Sequence, residues 1–475
     1  MQEYKYYVGG QFRESKDKID IINPATGEKF ARIFEAAEDD LNFAVKSARI
    51  AGREWKKVSF KERAVGLREI GKVMFDNLRE LAQVETREIG KTLKESLFVD
   101  VPLGAECFNY YASFLEGLEE KSLESELGID LVKYEPFGVA GIYLPYNVPL
   151  MIFGFSCAAA LAAGNAVVIK PSEYGALSIL ELAKYIDKLD LPKGLINIVT
   201  GGGATVGKQL ASADLDIISF TGSMKTLKKV AAVSSQNPKK MVCELGGANA
   251  AVIFSDAHRE SATQNVLAAA FMKQGQMCIG SSIILIEENI YDEFVKDFVE
   301  RVKKIKVGDP FSPETGVGPL PTKKHVEEVN DQVVKLQKKG AKVLCGANPD
   351  GYFYPPTVLE CQDFPVEEFF APVVAVKKFK NRKEVEAIVE DQSGGLVLQI
   401  WTQDIGMAKS LADRARCGTV WINSFAQMNA QTPFGGVGSS GWGRSLGKLG
   451  FFEYIQPKHI GIGFKQSPVF GWFGV

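Results

Sequence analysis

The sequence predicts an α/β protein built on doubly wound parallel sheets, and three observations predict it. From about Val132, short apolar strands alternate with helices, the pattern of βα units whose strands run parallel because each returns through a helix on the sheet face. A second α/β series runs from Ala250 to about Ser440 in a chain of 475 residues, which has room for about two or three domains. Hydrophobic residues make up 46% and charged residues 24%, the balance of a globular protein with an ample core.

The elements follow in order. After a short β start the first part reads as helical. Ser59 with Glu62 three residues on is a capping box, and the helix it opens carries Leu67, Ile70, Val73 and Met74 on one face. A second amphipathic run spans Leu78 to Ile89. Then come strand 139–144, helix 150–163, strand 166–169, helix 177–189, strand 196–199, helix 204–211, strand 217–220, helix 225–234 and strand 241–245. The second series has strands near Ile283, Val374, Leu398 and Val420, with helices near Val266, Phe294 and Ala387. Ligands of such sheets sit at the carboxyl ends of the strands. The apolar tail, Ser467 to Val475, is expected to pack on another surface or another subunit.

Several classes are excluded. A formal net charge of −2 leaves no basic field for nucleic acid or anionic lipid. Seven dispersed cysteines with no C-x-x-C pair argue against a zinc knuckle or a disulfide framework and fit a reducing cytosol. The amino terminus has no signal-peptide pattern. Phe137 to Ile169 carries no charge, but Pro145, Asn147, Pro149 and Gly164-Asn165 break it into strand, loop, buried helix and strand rather than a membrane span. Three histidines, His258, His325 and His459, form no zinc or Ser-His-Asp pattern, and no metal site is expected.

Three segments invite a chemical reading. Gly202 to Lys208 matches G-x-x-x-x-G-K, but a phosphate loop needs Ser or Thr next, and Gln209 cannot ligate magnesium. A strand-to-helix turn needing small residues explains it better. Cys278, in Gln274-Gly275-Gln276-Met277-Cys278-Ile279-Gly280, lies between a helical run and an apolar strand, where a loop can present it to a cleft and glycines permit close backbone approach. Glu244 ends an apolar strand just before Gly246-Gly247, so it must pair, cap a helix or occupy a cleft with a raised pKa.

Taken together, nine segments resemble the aldehyde dehydrogenase superfamily, in its usual order and over nearly the whole chain. They are Asn23-Pro24-Ala25-Thr26-Gly27-Glu28, Pro145-Tyr146-Asn147, Gly164-Asn165 through Lys170-Pro171-Ser172-Glu173, Phe220-Thr221-Gly222-Ser223, Glu244-Leu245-Gly246-Gly247, Gly275-Gln276-x-Cys278, Glu367 through Val373, Gly418 through Asn423, and Pro433-Phe434-Gly435-Gly436. The resemblance implies that Cys278 attacks the aldehyde carbonyl, that the Asn147 amide and the Cys278 backbone N–H hold the oxyanion, and that Glu244 activates water against the thioester. It implies cofactor binding by Lys170, Ser172 and Glu173 toward the adenosine, Gly222 and Ser223 toward the pyrophosphate, and Gly246, Glu368 and Phe370 toward the nicotinamide half. Glu173 would repel a 2′-phosphate, which favours NAD over NADP, with NADP still possible. By the same matching, Val148, Phe155, Met272, Met277, Ile279, Met428 and Phe434 line the substrate tunnel. None of these seven is charged, which favours an aliphatic or aromatic aldehyde over a semialdehyde carboxylate.

The chain also departs from the family pattern. Ser156 and Ser445 stand where the family often has a Lys and a Glu, which puts the weight of base catalysis on Glu244; Ala371 replaces a usual Gly, Gly438 a frequent Lys, and Met224 to Leu227 a Gly-containing run. Two other classes remain open: a CoA-acylating relative, against which Glu244 speaks, and a non-catalytic binding relative, against which Cys278, Asn147 and Glu244 all speak. The architecture implied is two Rossmann-like α/β domains with a β-arm. Residues 1–117 and 137–248 would form the NAD-binding domain, 249–440 the catalytic domain, and 118–136 with 441–475 the oligomerisation arm and tail. A homodimer or homotetramer in the cytoplasm, acting on a small aldehyde without nucleic-acid or membrane partners, follows from that resemblance.

Overall fold

The computed structural model describes residues 1–119, 121–125, 128–361, 368–390 and 394–463; the apolar tail from Ser467 lies outside them. Five parallel strands form the heart of the first sheet: β1 (Val139–Leu144), β2 (Ala166–Pro171), β3 (Ile196–Ile198), β4 (Ile217–Gly222) and β5 (Lys240–Leu245). Their spatial order is β3-β2-β1-β4-β5. Direction reverses at β1, and that switch point opens a crevice at the carboxyl ends of β1 and β4. The sheet is mixed at its edges, a refinement of the all-parallel expectation. Tyr6–Val8 and Gln11–Arg13 add antiparallel strands beyond β3, and Gly441–Trp442 pairs antiparallel with β5.

The second sheet contains β6 (Asn249–Ile253), β7 (Ser281–Glu287), β8 (Thr357–Glu360), β9 (Val373–Phe379), β10 (Val397–Trp401) and β11 (Thr419–Ile422). They run parallel in the order β8-β9-β7-β6-β10-β11, and Lys342–Cys345 lies antiparallel on the outer side of β8. A third, antiparallel sheet places 128–136 between 121–125 and 455–463. The carboxyl-terminal strand of this sheet begins at Ile455. Residues 441–442 belong to the first sheet because their backbone completes the ladder of β5 beside Glu244.

The capping box at Ser59 forms as expected: Ser59 Oγ accepts from the Glu62 amide at 3.2 Å and the Ser59 amide donates to Glu62 Oε2 at 3.1 Å. Three helices position the site. They are α1 (Val101–Glu116), α2 (Pro149–Ala163) and α3 (Arg259–Phe271). All fifteen residues of α2 are buried, and α1 crosses it so closely that a Cβ on Gly154 would stand 2.2 Å from the Gly104 carbonyl oxygen. The uncharged stretch is thus a core helix. No helix among the described residues is long and apolar enough to cross a membrane. The sequence reading did not place α1 or the helix Glu38–Trp55, although Leu41, Ala44, Ala48 and Trp55 are buried at helical spacing and α1 leaves Glu106, Asn109 and Glu116 exposed on one face.

Candidate active site

Cys278 lies in the connection from α3 to β7, as the order of helix and strand predicted. The chain leaves α3 through three successive left-handed residues, Lys273 (φ 52°), Gln274 (φ 55°) and Gly275 (φ 67°). The first two carry side chains and are strained there. Gly275 is required, since a Cβ would sit 2.1 Å from the Ala371 carbonyl oxygen. Asn249 Nδ2 donates to the Cys278 carbonyl at 2.6 Å and to that of Gly280 at 3.0 Å, tying the loop to β6. Burial pushes the Cys278 thiol up to about 12, the Glu368 and Glu244 carboxylates push the same way, and Lys273 pulls it down. The resting sulfur is a protonated thiol at neutral pH.

Glu244 is buried on β5, paired in register with Thr221 of β4 on one side and Gly441 on the other. Its Oε1 accepts from Ser445 Oγ at 3.2 Å, while Oε2 is buried with no hydrogen-bond partner. Burial raises this carboxyl to about 8, only partly offset by Ser445 and Arg444. A carboxyl of that kind exchanges protons near neutrality. Asn147 follows the end of β1, buried, and its Nδ2 donates to the Gln276 carbonyl at 2.7 Å, two residues from the sulfur. Tyr146 Oη donates to Gln276 Oε1 at 2.8 Å, and its ring meets that of Phe370 edge-on at 6.1 Å.

A cleft of about 1890 Å³ runs over the switch point of the first sheet to Cys278. All eight residues expected at the cofactor line it: Lys170, Ser172, Glu173, Gly222, Ser223, Gly246, Glu368 and Phe370. Lys170 is buried at the end of β2; its Nζ donates to the Pro171 carbonyl at 3.0 Å and lies 3.8 Å from Glu173, and burial lowers its pKa. Ser223 caps the helix Met224–Ser234, its side chain accepting from the Thr226 amide, and Ser223, Met224 and Thr226 line the cleft. Burial lifts Glu368 to about 8 against the Gly247 amide. A Cβ on Gly246 would come within 2.1 Å of Glu368 Oε2. Phe370 is itself left-handed (φ 48°), with its carbonyl oxygen 3.0 Å from His325 Nε2. The turn at Gly201 to Lys208 has the structural role expected, and Gly203, Gly207 and Lys208 also face the cleft.

From the other side a tunnel of about 530 Å³ reaches the same sulfur. Its walls include every residue expected there: Val148, Phe155, Met272, Met277, Ile279, Met428 and Phe434. Cleft and tunnel share Asn147, Val148, Ile152, Phe155, Cys278 and Phe434. The tunnel also contains two charged residues that sequence matching missed, Lys273 and Glu106. Lys273 is buried and paired with Asp100; Glu106 is exposed on the α1 face that also presents Leu103 and Asn109.

Two α/β sheets bring Cys278 to the point where a cleft over the sheet switch point meets an apolar tunnel, and comparison with known proteins identifies the family. The aldehyde dehydrogenase family model matches residues 12–460. The betaine aldehyde dehydrogenase of Bacillus subtilis is 38% identical over the whole of both chains, and the 2-aminomuconic semialdehyde dehydrogenase of Mus musculus is 36% identical over 96% of this chain and 97% of its own. The solved betaine aldehyde dehydrogenase of Staphylococcus aureus, in complex with NAD+, superposes with a TM-score of 0.96 at 33% identity, covering 99% of this chain and 97% of that one. This chain belongs to the aldehyde dehydrogenase family, oxidoreductases that act on the aldehyde group.

Proposed function

We propose that this protein oxidises an apolar aldehyde to its carboxylic acid with NAD, using Cys278 as nucleophile and Glu244 as the base of hydrolysis. The observation that carries the reading is the meeting, at one sulfur, of the tunnel and the cleft lined by the residues expected at a cofactor. The residues present fit a dinucleotide. The crevice lies at the switch point, a helix amino terminus at Ser223 awaits an anion, Lys170 and Glu173 offer a donor and an acceptor to ribose hydroxyls, and Gly246 leaves room that a Cβ would take from Glu368. Glu173 disfavours a 2′-phosphate, which supports NAD over NADP.

In this mechanism the Cys278 thiol passes its proton to water in the cleft, and the resulting thiolate adds to the aldehyde carbon. Asn147 Nδ2, released from the Gln276 carbonyl, and the Cys278 amide donate to the developing oxyanion. The chemistry that bound NAD supplies is hydride acceptance, which leaves a thioester on Cys278. Glu244, ionised above about 8 and partly so at neutrality, takes a proton from water as that water attacks the thioester; the C–S bond then breaks, releasing the acid and the Cys278 thiolate, which is reprotonated from water. Ser445 holds the carboxylate in place.

The relatives named above are betaine aldehyde and 2-aminomuconic semialdehyde dehydrogenases, so they point to no single substrate. The tunnel walls support a hydrocarbon body, with Glu106 at the exposed end. Seven cysteines without a disulfide support a reducing, cytoplasmic setting, and the antiparallel arm supports a homodimer or homotetramer joined through its strands. The test is NADH formation from NAD and a panel of hexanal, benzaldehyde and succinic semialdehyde, without coenzyme A. Steady turnover to the acid, lost in Cys278→Ala, is the expected result. A single burst that turns over only with coenzyme A overturns the hydrolytic step, and a higher kcat/KM for succinic semialdehyde overturns the apolar substrate.

A further inference from the structure

Behind Cys278 lies a group of buried charges that the mechanism above does not use. Asp100 is fully buried at the end of a single π-type turn, Ser96–Asp100, that leads into α1. Such turns bulge a helix and redirect one side chain. Here the redirected side chain meets two ammonium groups, one on each oxygen. Lys273 Nζ contacts Oδ1, and Lys91 Nζ contacts Oδ2. Lys91 is fully buried as well; it also pairs with Glu85 at 2.9 Å and donates to the Asn147 carbonyl at 3.2 Å.

The contacts form a closed ring. From Asp100 one path runs through Lys91 to the Asn147 backbone, and the Asn147 side chain continues it to the Gln276 carbonyl. The other path runs through Lys273, three residues before Gln276, back to Asp100. The Lys273 amide donates to Glu95 Oε1 at 2.6 Å, and Glu95 Oε2 accepts from the Thr92 amide at 2.9 Å and from Thr92 Oγ1 at 2.8 Å. The left-handed pair Lys273 and Gln274 therefore has an anchor on both backbone and side chain; Gln274 Nε2 adds a third contact, to the Pro319 carbonyl at 2.9 Å. Strained backbone persists only where its surroundings over-determine it, and this segment carries Cys278.

We infer that Asp100 is a positioning residue that sets the distance between the nucleophile and the oxyanion donor. It does so by holding the Cys278 loop through Lys273 and the Asn147 loop through Lys91. Burial alone would raise the Asp100 pKa, but Lys273 and Lys91 outweigh it and hold the carboxyl below its usual value, so the tie stays charged. Lys273 has a second consequence. The residue is part of the tunnel wall, and its positive charge pulls the Cys278 thiol toward ionisation, with Ser156 providing no charge where the family often has a lysine. A misplacement of about 1 Å in such a pair costs roughly a hundredfold in rate.

The inference rests on the roles given above to Cys278 and Asn147, and three variants test it apart from them: Asp100→Asn, Lys91→Met and Lys273→Met. The readouts are the pre-steady-state NADH burst, the pH profile of Cys278 alkylation by iodoacetamide, and melting temperature. The expected result for Asp100→Asn is a burst slowed about tenfold to a hundredfold with little change in aldehyde KM. Lys91→Met slows the burst but leaves the alkylation profile in place. Lys273→Met slows the burst and moves that profile to higher pH. Should Asp100→Asn fail to fold, the two lysine variants carry the test, each cutting one path. Wild-type burst rates in the folded variants, or losses that follow only the fraction folded, overturn the inference. Wild-type activity after full alkylation of Cys278 overturns the underlying mechanism instead.

Discussion

Glu244, whose charge acts on the Cys278 thiol, and Asp100, which reaches the Cys278 loop only through Lys273, are two buried carboxylates set up in opposite ways. Glu244 has one hydroxyl partner and one oxygen with none, and burial lifts it to about 8. Asp100, at least as deeply buried, has an ammonium on each oxygen and lies below its ordinary value. Burial costs both carboxylates charge stability; the number of compensating cations decides the outcome. The under-compensated one is free to trade protons and suits a base. The fully compensated one keeps its charge and suits a tether.

The largest break in that comparison comes from removing the trade. Glu244→Gln should slow thioester hydrolysis by about 10²- to 10⁴-fold while the NADH burst persists, read by comparing burst amplitude with steady turnover. The same variant should be more stable than wild type at high pH. A carboxyl whose folded pKa is raised from 4.5 to about 8 contributes stability that is complete below about 4.5 and lost as pH climbs through about 8. Melting curves at pH 5 and pH 9 check this: near equality at the first, a higher melting temperature for Glu244→Gln at the second.

A smaller effect sharpens the same contrast. Ser445→Ala takes away the hydroxyl that pulls the Glu244 pKa down, so the alkaline-rising limb of the hydrolysis rate should move to higher pH. An unchanged limb would mean that another group titrates there. The smallest effect concerns a third carboxylate, Glu106, exposed at the tunnel. Exposed charges act over a screened range and chiefly on encounter. Glu106→Gln should lower kcat/KM for an aldehyde bearing an ammonium group by about two- to fivefold, with hexanal unaffected and the difference fading in high salt.

Much of this was legible in the sequence. The five parallel strands of the first sheet, and β7, β9, β10 and β11 of the second, fall where apolar runs and breakers placed them, since a buried parallel strand announces itself as a short β-branched run between a helix and a turn; β6 and β8 were not placed. Motif matching named residues that now line one cleft and one tunnel around Cys278. The edge strands were less legible. Tyr6–Val8 and Gly441–Trp442 are only three and two residues long, and their pairing is chosen by a sheet that exists only after folding.

The sequence by itself determined the family, much of the order of the elements and which residues are proposed as the reactive groups, because periodicity and local motifs are written over short spans. The tertiary structure alone decided how those groups behave. Nothing near Asp100 in the chain announces a lysine 173 residues away, nothing in Glu-Leu-Gly-Gly says that one oxygen of Glu244 goes unpartnered, and no pattern marks Glu106 as part of the tunnel. Charge, pKa and access depend on which distant side chains burial brings together. Burial is a property of the packed molecule, not of any segment of it.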